Sequence, residues 1–294
     1  MKQICLSFTL LWACLLSPAW LLAQQHEPYD VHIQRDGISL HGSFYVSSDS
    51  ASRPTVILLG GFPGNPNDVL GLGRRIAPEG IHVLTFQYSG SYQSEGVFCW
   101  DHAQKDVQAA FDFVRDSANI RKYGIDTSQI ILGGYCFGGG MAWTYAARHP
   151  EVQRIFTIAG NDHGAFVRAY MHNAQARTAI DKMFDSWEQP EKPLRLAWEG
   201  KSPEYRQNYM LNDLSENPYY DLRNCAPELA QRDILLIGAW DDASVPMEHV
   251  ILPLYRELQK AGAMHLRVRA FQDSHAFKNS SEKLAQLIID WIHQ

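Results

Sequence analysis

Apolar positions fall into short runs separated by stretches with helical spacing. Val31 to Arg35 and Ile38 to Val46 alternate on either side of Asp36-Gly37. That dipeptide suits a tight turn, so the pattern predicts a β-hairpin. The runs Thr55 to Leu59, His82 to Tyr88, Ile130 to Leu132, Arg154 to Ala159 and Asp233 to Ala239 are apolar almost throughout, as in strands covered on both faces. Between them, Asp101 to Ser117 places Val107, Ala110, Phe111 and Val114 on one helical stripe, and a second helix follows Cys136 as far as His149. After Pro246 come a helix, a strand from Leu266 to Phe271, and a closing helix from Ser280 to His293. Such alternation predicts an α/β fold with a mostly parallel sheet and right-handed crossovers.

The rhythm stops over residues 161–232, a stretch longer than any ordinary connection and rich in aromatic residues. It predicts a helical cap inserted between two parts of a core, 24–160 and 233–294. Phe166 to Phe184 carries helical spacing, and Glu188 to Pro193 is a break. The insertion leaves the carboxyl end of a strand, where open α/β sheets bind ligands. Trp187, Trp198, Tyr205, Tyr209, Tyr219 and Tyr220 are therefore candidates for a pocket roof, although most are expected to form the cap's own core. Ahead of the core, residues 1–23 show Lys2, an apolar stretch from Ile4 to Leu22, and Ala23 before a polar segment. This predicts a secretory signal peptide cleaved after Ala23, with an uncleaved anchor as the alternative. The expected product is secreted or periplasmic, with no stable membrane association after cleavage.

A chain of 294 residues with 46% hydrophobic content can bury one large core. Its formal net charge is −6 and its Lys and Arg are dispersed, which excludes the basic stripe that nucleic-acid binding requires. No His-Glu-x-x-His, paired Cys-x-x-Cys or phosphate-loop ending is present, so no metal and no cofactor are predicted.

The chemistry centres on Gly134-Tyr135-Cys136-Phe137-Gly138, directly after an apolar run and before a helix-like segment. This is the Gly-x-Ser-x-Gly nucleophile elbow with sulfur in place of oxygen. The glycines allow a sharp strand-to-helix turn, and the helix N-terminus favours negative charge on the thiol. With Gly139 included, the run resembles the elbow of the dienelactone-hydrolase branch of the α/β-hydrolases, which uses cysteine. The order of elements resembles that fold over nearly all of the chain after the leader. The resemblance implies an α/β-hydrolase fold, with a mostly parallel sheet flanked by helices and a cap, and a nucleophile–acid–histidine order. His275, in the loop after the last strand, then serves as base. Asp241 has the expected spacing from Gly238 and is the first choice of acid; Asp242 is the alternative and Asp162 a more distant one. The backbone N–H groups of Phe137 and Phe62 are the implied oxyanion donors. Gly60-Gly61 stands where many relatives carry His-Gly, which removes a side chain that often braces this loop.

The expected activity is hydrolysis of ester, lactone or thioester bonds in a small-molecule acyl substrate through an acyl-cysteine. Acyl transfer, peptide cleavage and catalytically silent ligand binding are the alternatives. Of the five cysteines, Cys5 and Cys14 lie in the leader, leaving Cys99, Cys136 and Cys225. In an oxidising compartment an odd count suggests one pair and one free thiol; with Cys136 as the working thiol, the expected disulfide joins Cys99 to Cys225.

Overall fold

The computed structural model describes residues 27–47, 52–64, 68–187 and 194–294. The leader with its cleavage position, Asn65-Pro66 and the break at 188–193 lie outside the described residues.

The hairpin forms from β1 (Tyr29–Arg35) and β2 (Ile38–Tyr45), and its turn uses positive φ at Asp36 and Gly37. The core then runs through β3 (Arg53–Leu59), the short α1 (Leu72–Ile76), β4 (His82–Phe86), α2 (Trp100–Arg115), α3 (Ser117–Tyr123), β5 (Ile125–Tyr135), α4 (Phe137–Arg148) and β6 (Arg154–Ile158). These strands and the later β7 (Asp233–Ala239) and β8 (Leu266–Phe271) make one eight-stranded sheet in the order β1-β2-β4-β3-β5-β6-β7-β8. Pairing is antiparallel from β1 through β2 to β4 and parallel elsewhere. The central strands are buried on both faces, which accounts for their unbroken apolar runs. The helices α9 (Leu252–Lys260) and α10 (Ser281–Ile292) complete the layers, with a wide helical turn over Met247–Ile251 leading into α9.

Between β6 and β7 the chain forms α5 (His163–His172), α6 (Ala174–Trp187), α7 (Pro203–Glu216) and α8 (Leu222–Leu229). The helical spacing read across Phe166 to Phe184 is interrupted at Asn173, whose side-chain oxygen accepts the N–H groups of Gln175 and Ala176 and starts α6 afresh. Asp116 acts in the same way after α2. It accepts from Ala118 and Asn119 and begins α3, a helix that apolar spacing alone does not reveal. No helix among the described residues is long and apolar enough to cross a membrane.

Candidate active site

The tip of β5 places Cys136 at φ 54°, ψ −118°, a region that non-glycine residues enter only where their surroundings hold them. Here the surroundings do. The Cys136 N–H donates to the Ile158 carbonyl at 2.9 Å, and the Cys136 carbonyl accepts from Gly139 at 3.0 Å and Asn161 at 2.9 Å. Glycine is required on both sides. A Cβ on Gly134 would stand 2.2 Å from the Gly138 carbonyl oxygen, and one on Gly138 would stand 2.5 Å from the carbonyl oxygens of both Leu59 and Gly60. The elbow is thus wedged between β6 and the loop that follows β3.

His275 is brought to Cys136 by the loop between β8 and α10. Asp273 shapes that loop by accepting the N–H groups of Ser274 and Asn279. The His275 Nδ1 donates to Asp242 Oδ2 at 2.7 Å. A carboxylate only accepts, so Nδ1 carries the proton and Nε2 is left for Cys136, with which His275 is also hydrogen-bonded. Burial pulls the His275 pKa down, but the bonds and charges of Cys136 and Asp242 outweigh it and raise the value to about 9.

The first-choice acid is displaced by one residue: Asp242, not Asp241, contacts the histidine. Backbone pairing between β7 and β8 continues past the strand ends, with Trp240 N–H on the Phe271 carbonyl and Asp241 N–H on the Asp273 carbonyl. The turn toward His275 is delayed by that extra pairing. Asp241 stays exposed and accepts from Gln272 at 2.7 Å. Asp242 is buried, and its Oδ1 takes the N–H groups of Ser244 and Val245, both at 2.8 Å. Asp162 caps α5 through the Ala165 N–H.

Phe137 begins α4, and Phe62 lies in the loop after β3. That loop touches the elbow: a Cβ on Gly61 would be 3.3 Å from Cys136 Cβ and 3.2 Å from Tyr135 Cε1. The brace lost with Gly60-Gly61 is supplied from two other places. Fully buried Tyr88 donates its hydroxyl to the Gly60 carbonyl at 3.1 Å. Tyr135 packs on Gly61 and donates to the His275 carbonyl at 3.2 Å, its ring 5.1 Å from the imidazole.

Sequence reasoning also passes over His163 and Asn161. His163 Nε2 donates to the Phe137 carbonyl at 3.2 Å, and burial depresses its pKa to about 3, so the ring is neutral. Their signal is weak in the sequence, since only the wedging of β6 against α4 brings them to the elbow. Both line a mostly apolar cavity of about 230 Å³ that reaches Cys136, Phe62 and Phe137 and is roofed by Phe166, Met183 and Phe184. Among the described side chains, the roof candidates named from sequence do not line it. Trp198 and Tyr220 are buried in packing, Tyr205 is exposed, and the Trp187 side chain lies outside the described residues.

The expected Cys99–Cys225 disulfide is absent, and both thiols are free and buried. Each is used locally: Cys99 Sγ accepts the His102 N–H at the start of α2, and Cys225 Sγ donates to the Tyr219 carbonyl. The cap is tied to the core by backbone instead. Arg195 N–H donates to the Gly90 carbonyl, Phe98 N–H to the Arg195 carbonyl, and Ala197 N–H to the Phe98 carbonyl. No cluster of metal-ligating side chains occurs among the described residues.

A family described as the alpha/beta hydrolase fold matches residues 54–190. Cutinase 2 of Thermobifida cellulosilytica is 25% identical over 145 residues, 47% of this chain and 53% of the relative. The cutinase of Thermobifida fusca strain YX is also 25% identical over 145 residues, covering 44% of its length. The chain therefore spans about half the length of the curated relatives it matches. Among solved structures, Est1E of Butyrivibrio proteoclasticus with bound ferulic acid superposes with a TM-score of 0.63 at 14% identity, over 90% of this chain and 98% of that one. The Pyrococcus furiosus esterase Pf2001 gives 0.63 at 15% identity, over 91% and 92%. DcsB in complex with its substrate analogue gives 0.62 at 15% identity, over 90% and 98%. With the sheet order, the family match over residues 54–190 and the superposed structures in agreement, the chain has the α/β-hydrolase fold.

Proposed function

We propose that the protein is an exported, cysteine-dependent hydrolase of carboxylic ester, lactone or thioester bonds, of the dienelactone-hydrolase-like kind. The observation that carries the reading is the continuous chain of side chains Cys136, His275 and Asp242 at a strained elbow beside a mostly apolar cavity. The cutinase and esterase names of the similar proteins support ester chemistry, and the leader pattern supports export.

In the proposed reaction the Cys136 thiolate attacks the acyl carbon, forming a C–S bond as the carbonyl π pair moves onto oxygen. The N–H groups of Phe137 and Phe62 receive that oxyanion. Its collapse breaks the bond to the leaving group, which takes a proton from His275. Neutral His275 then accepts a proton from water as the hydroxyl adds to the thioester, and collapse of the second oxyanion releases the acid and the thiolate. Asp242 holds the imidazole in its tautomer and balances its charge throughout. No cofactor is needed in this scheme.

The test is a panel of aryl esters, lactones and thioesters run on wild type, Cys136→Ser and Cys136→Ala. Wild type turns over at least one class, and Cys136→Ala loses at least about 10³-fold in kcat. Unaltered rates in Cys136→Ala overturn the reading. Adding an amine or alcohol acceptor to the same assays separates hydrolysis from acyl transfer by product.

A further inference from the structure

The cavity beside Cys136 has a side, a size and a charge, and each restricts what it accepts. The leaving-group atom must lie within reach of His275, which protonates it. His275 does not line the cavity; Asn161, His163 and the cap residues do. The part of the substrate that enters is therefore the part that stays on the sulfur.

The volume of about 230 Å³ falls below the ~300–1,000 Å³ of ordinary ligand pockets. A compact group fills that space, and a long alkyl chain would extend beyond it. Five of the lining side chains are aromatic: Phe62, Trp100, Phe137, Phe166 and Phe184. Phe62 meets Phe137 and Phe184 edge-on at 6.0 Å, and Phe166 tilts over Trp100 at 6.1 Å. Faces and edges are thus both presented inward, and a flat ring is the shape that uses both. No Lys, Arg, Asp or Glu lines the cavity among the described residues, and apart from the Cys136 sulfur its polar members Asn161, His163 and Ser244 are neutral. A carboxylate placed there would lose its hydration and meet no cation among the described lining side chains.

We infer that the acyl group carried by Cys136 is a compact, uncharged aromatic one, a single aryl ring joined to the carbonyl by a short linker. This rests on the reading of Cys136 as the acyl acceptor.

Two measurements test the two readings separately. The first compares 4-nitrophenyl esters with acetyl, phenylacetyl, decanoyl and hemisuccinyl groups on wild type. The phenylacetyl ester exceeds the acetyl ester in kcat/KM by about 10-fold or more, as burial of a ring predicts. It exceeds the decanoyl and hemisuccinyl esters by about 10²-fold. Equal or better rates with acetyl, decanoyl or hemisuccinyl overturn the inference and leave Cys136 chemistry standing.

The second measurement needs no turnover. By calorimetry, Cys136→Ala binds phenylacetamide saturably and does not bind succinamate, and a further Val245→Trp or Met183→Trp replacement, which fills the cavity from the core or the cap, abolishes the binding. Melting curves confirm that the filled variants fold. If no ester is hydrolysed but phenylacetamide binds in this way, the hydrolase reading fails and the ligand class holds. Absence of binding, or binding unaffected by both filled variants, overturns the inference.

Discussion

At the scale of single residues, the site turns on which of two adjacent acids faces His275 and on how that contact sets the imidazole proton. Asp242 accepts from Nδ1 while Asp241 accepts from Gln272, so the two acids respond differently to the same change. Asp242→Asn is expected to cut kcat/KM by about 10²–10⁴-fold, because an amide at that position neither fixes the tautomer nor balances charge. Asp241→Asn is expected to remain within about 3-fold of wild type, as surface changes usually do. Steady-state kinetics on the two variants checks the pair. His275 gives a second prediction. Its pKa of about 9 depends on the charges of Cys136 and Asp242, which overcome burial. In the proposed acyl-cysteine the sulfur no longer carries charge, so the imidazole would be more acidic at the step that calls for a base. NMR titration should place the His275 ring near 9 in the free wild type and lower in Cys136→Ala and in Asp242→Asn. A value unchanged in both variants would falsify the assignment.

At the scale of elements, the unit that matters is the junction of β3, β5 and β6 with the loop after β3. Tyr88 braces that loop from the end of β4, and Tyr88→Phe leaves the Gly60 carbonyl without its hydroxyl donor. The expected cost is about 1 kcal/mol of stability. If that loop sets an oxyanion donor as proposed, Tyr88→Phe also lowers kcat by about 10-fold with KM little changed, since a single such donor is worth more than that. A lower melting temperature with unaltered kcat would leave Tyr88 a structural role alone. The same junction shows what was legible beforehand. An apolar run, glycines at fixed spacing and a histidine after the last strand are local features, so β5, Cys136 and His275 can be read directly. The acid depends on how far β7 and β8 remain paired, which no local pattern reveals. α3 and the break between α5 and α6 depend on single capping side chains, Asp116 and Asn173, against a continuous helical spacing. The tyrosine braces and His163 come from strands and loops far apart in sequence and become neighbours only through the sheet order.

At the scale of the whole molecule, the cap and core meet along a seam of backbone bonds between 90–98 and 195–197 and, beside it, a polar cluster under α7. In that cluster Asp213 accepts from the Trp100 backbone N–H, and Tyr209 is hydrogen-bonded to Cys99. Burial, reinforced by the nearby charges of Asp101 and Glu216, raises the Asp213 pKa to about 7. The sign follows from proton counting. An unfolded Asp titrates near 3.8, so between about 4 and 7 the folded chain binds the extra proton, and stability falls as pH rises through that window. His275 acts in a different window: its raised value adds stability that is fully present below about 6.5 and is lost as pH rises through about 9. Asp213→Asn removes the first dependence and leaves the second. Melting temperatures of wild type and Asp213→Asn, taken from pH 4 to pH 10, should therefore diverge from about pH 4 to pH 7 in favour of the variant and run parallel above pH 7. Parallel curves across the whole range would mean that Asp213 keeps its charge under the cap and that the seam is insensitive to it. Divergence confined to the lower window would make the Asp213 proton a determinant of how firmly α7 holds to Trp100, one wall of the cavity over Cys136.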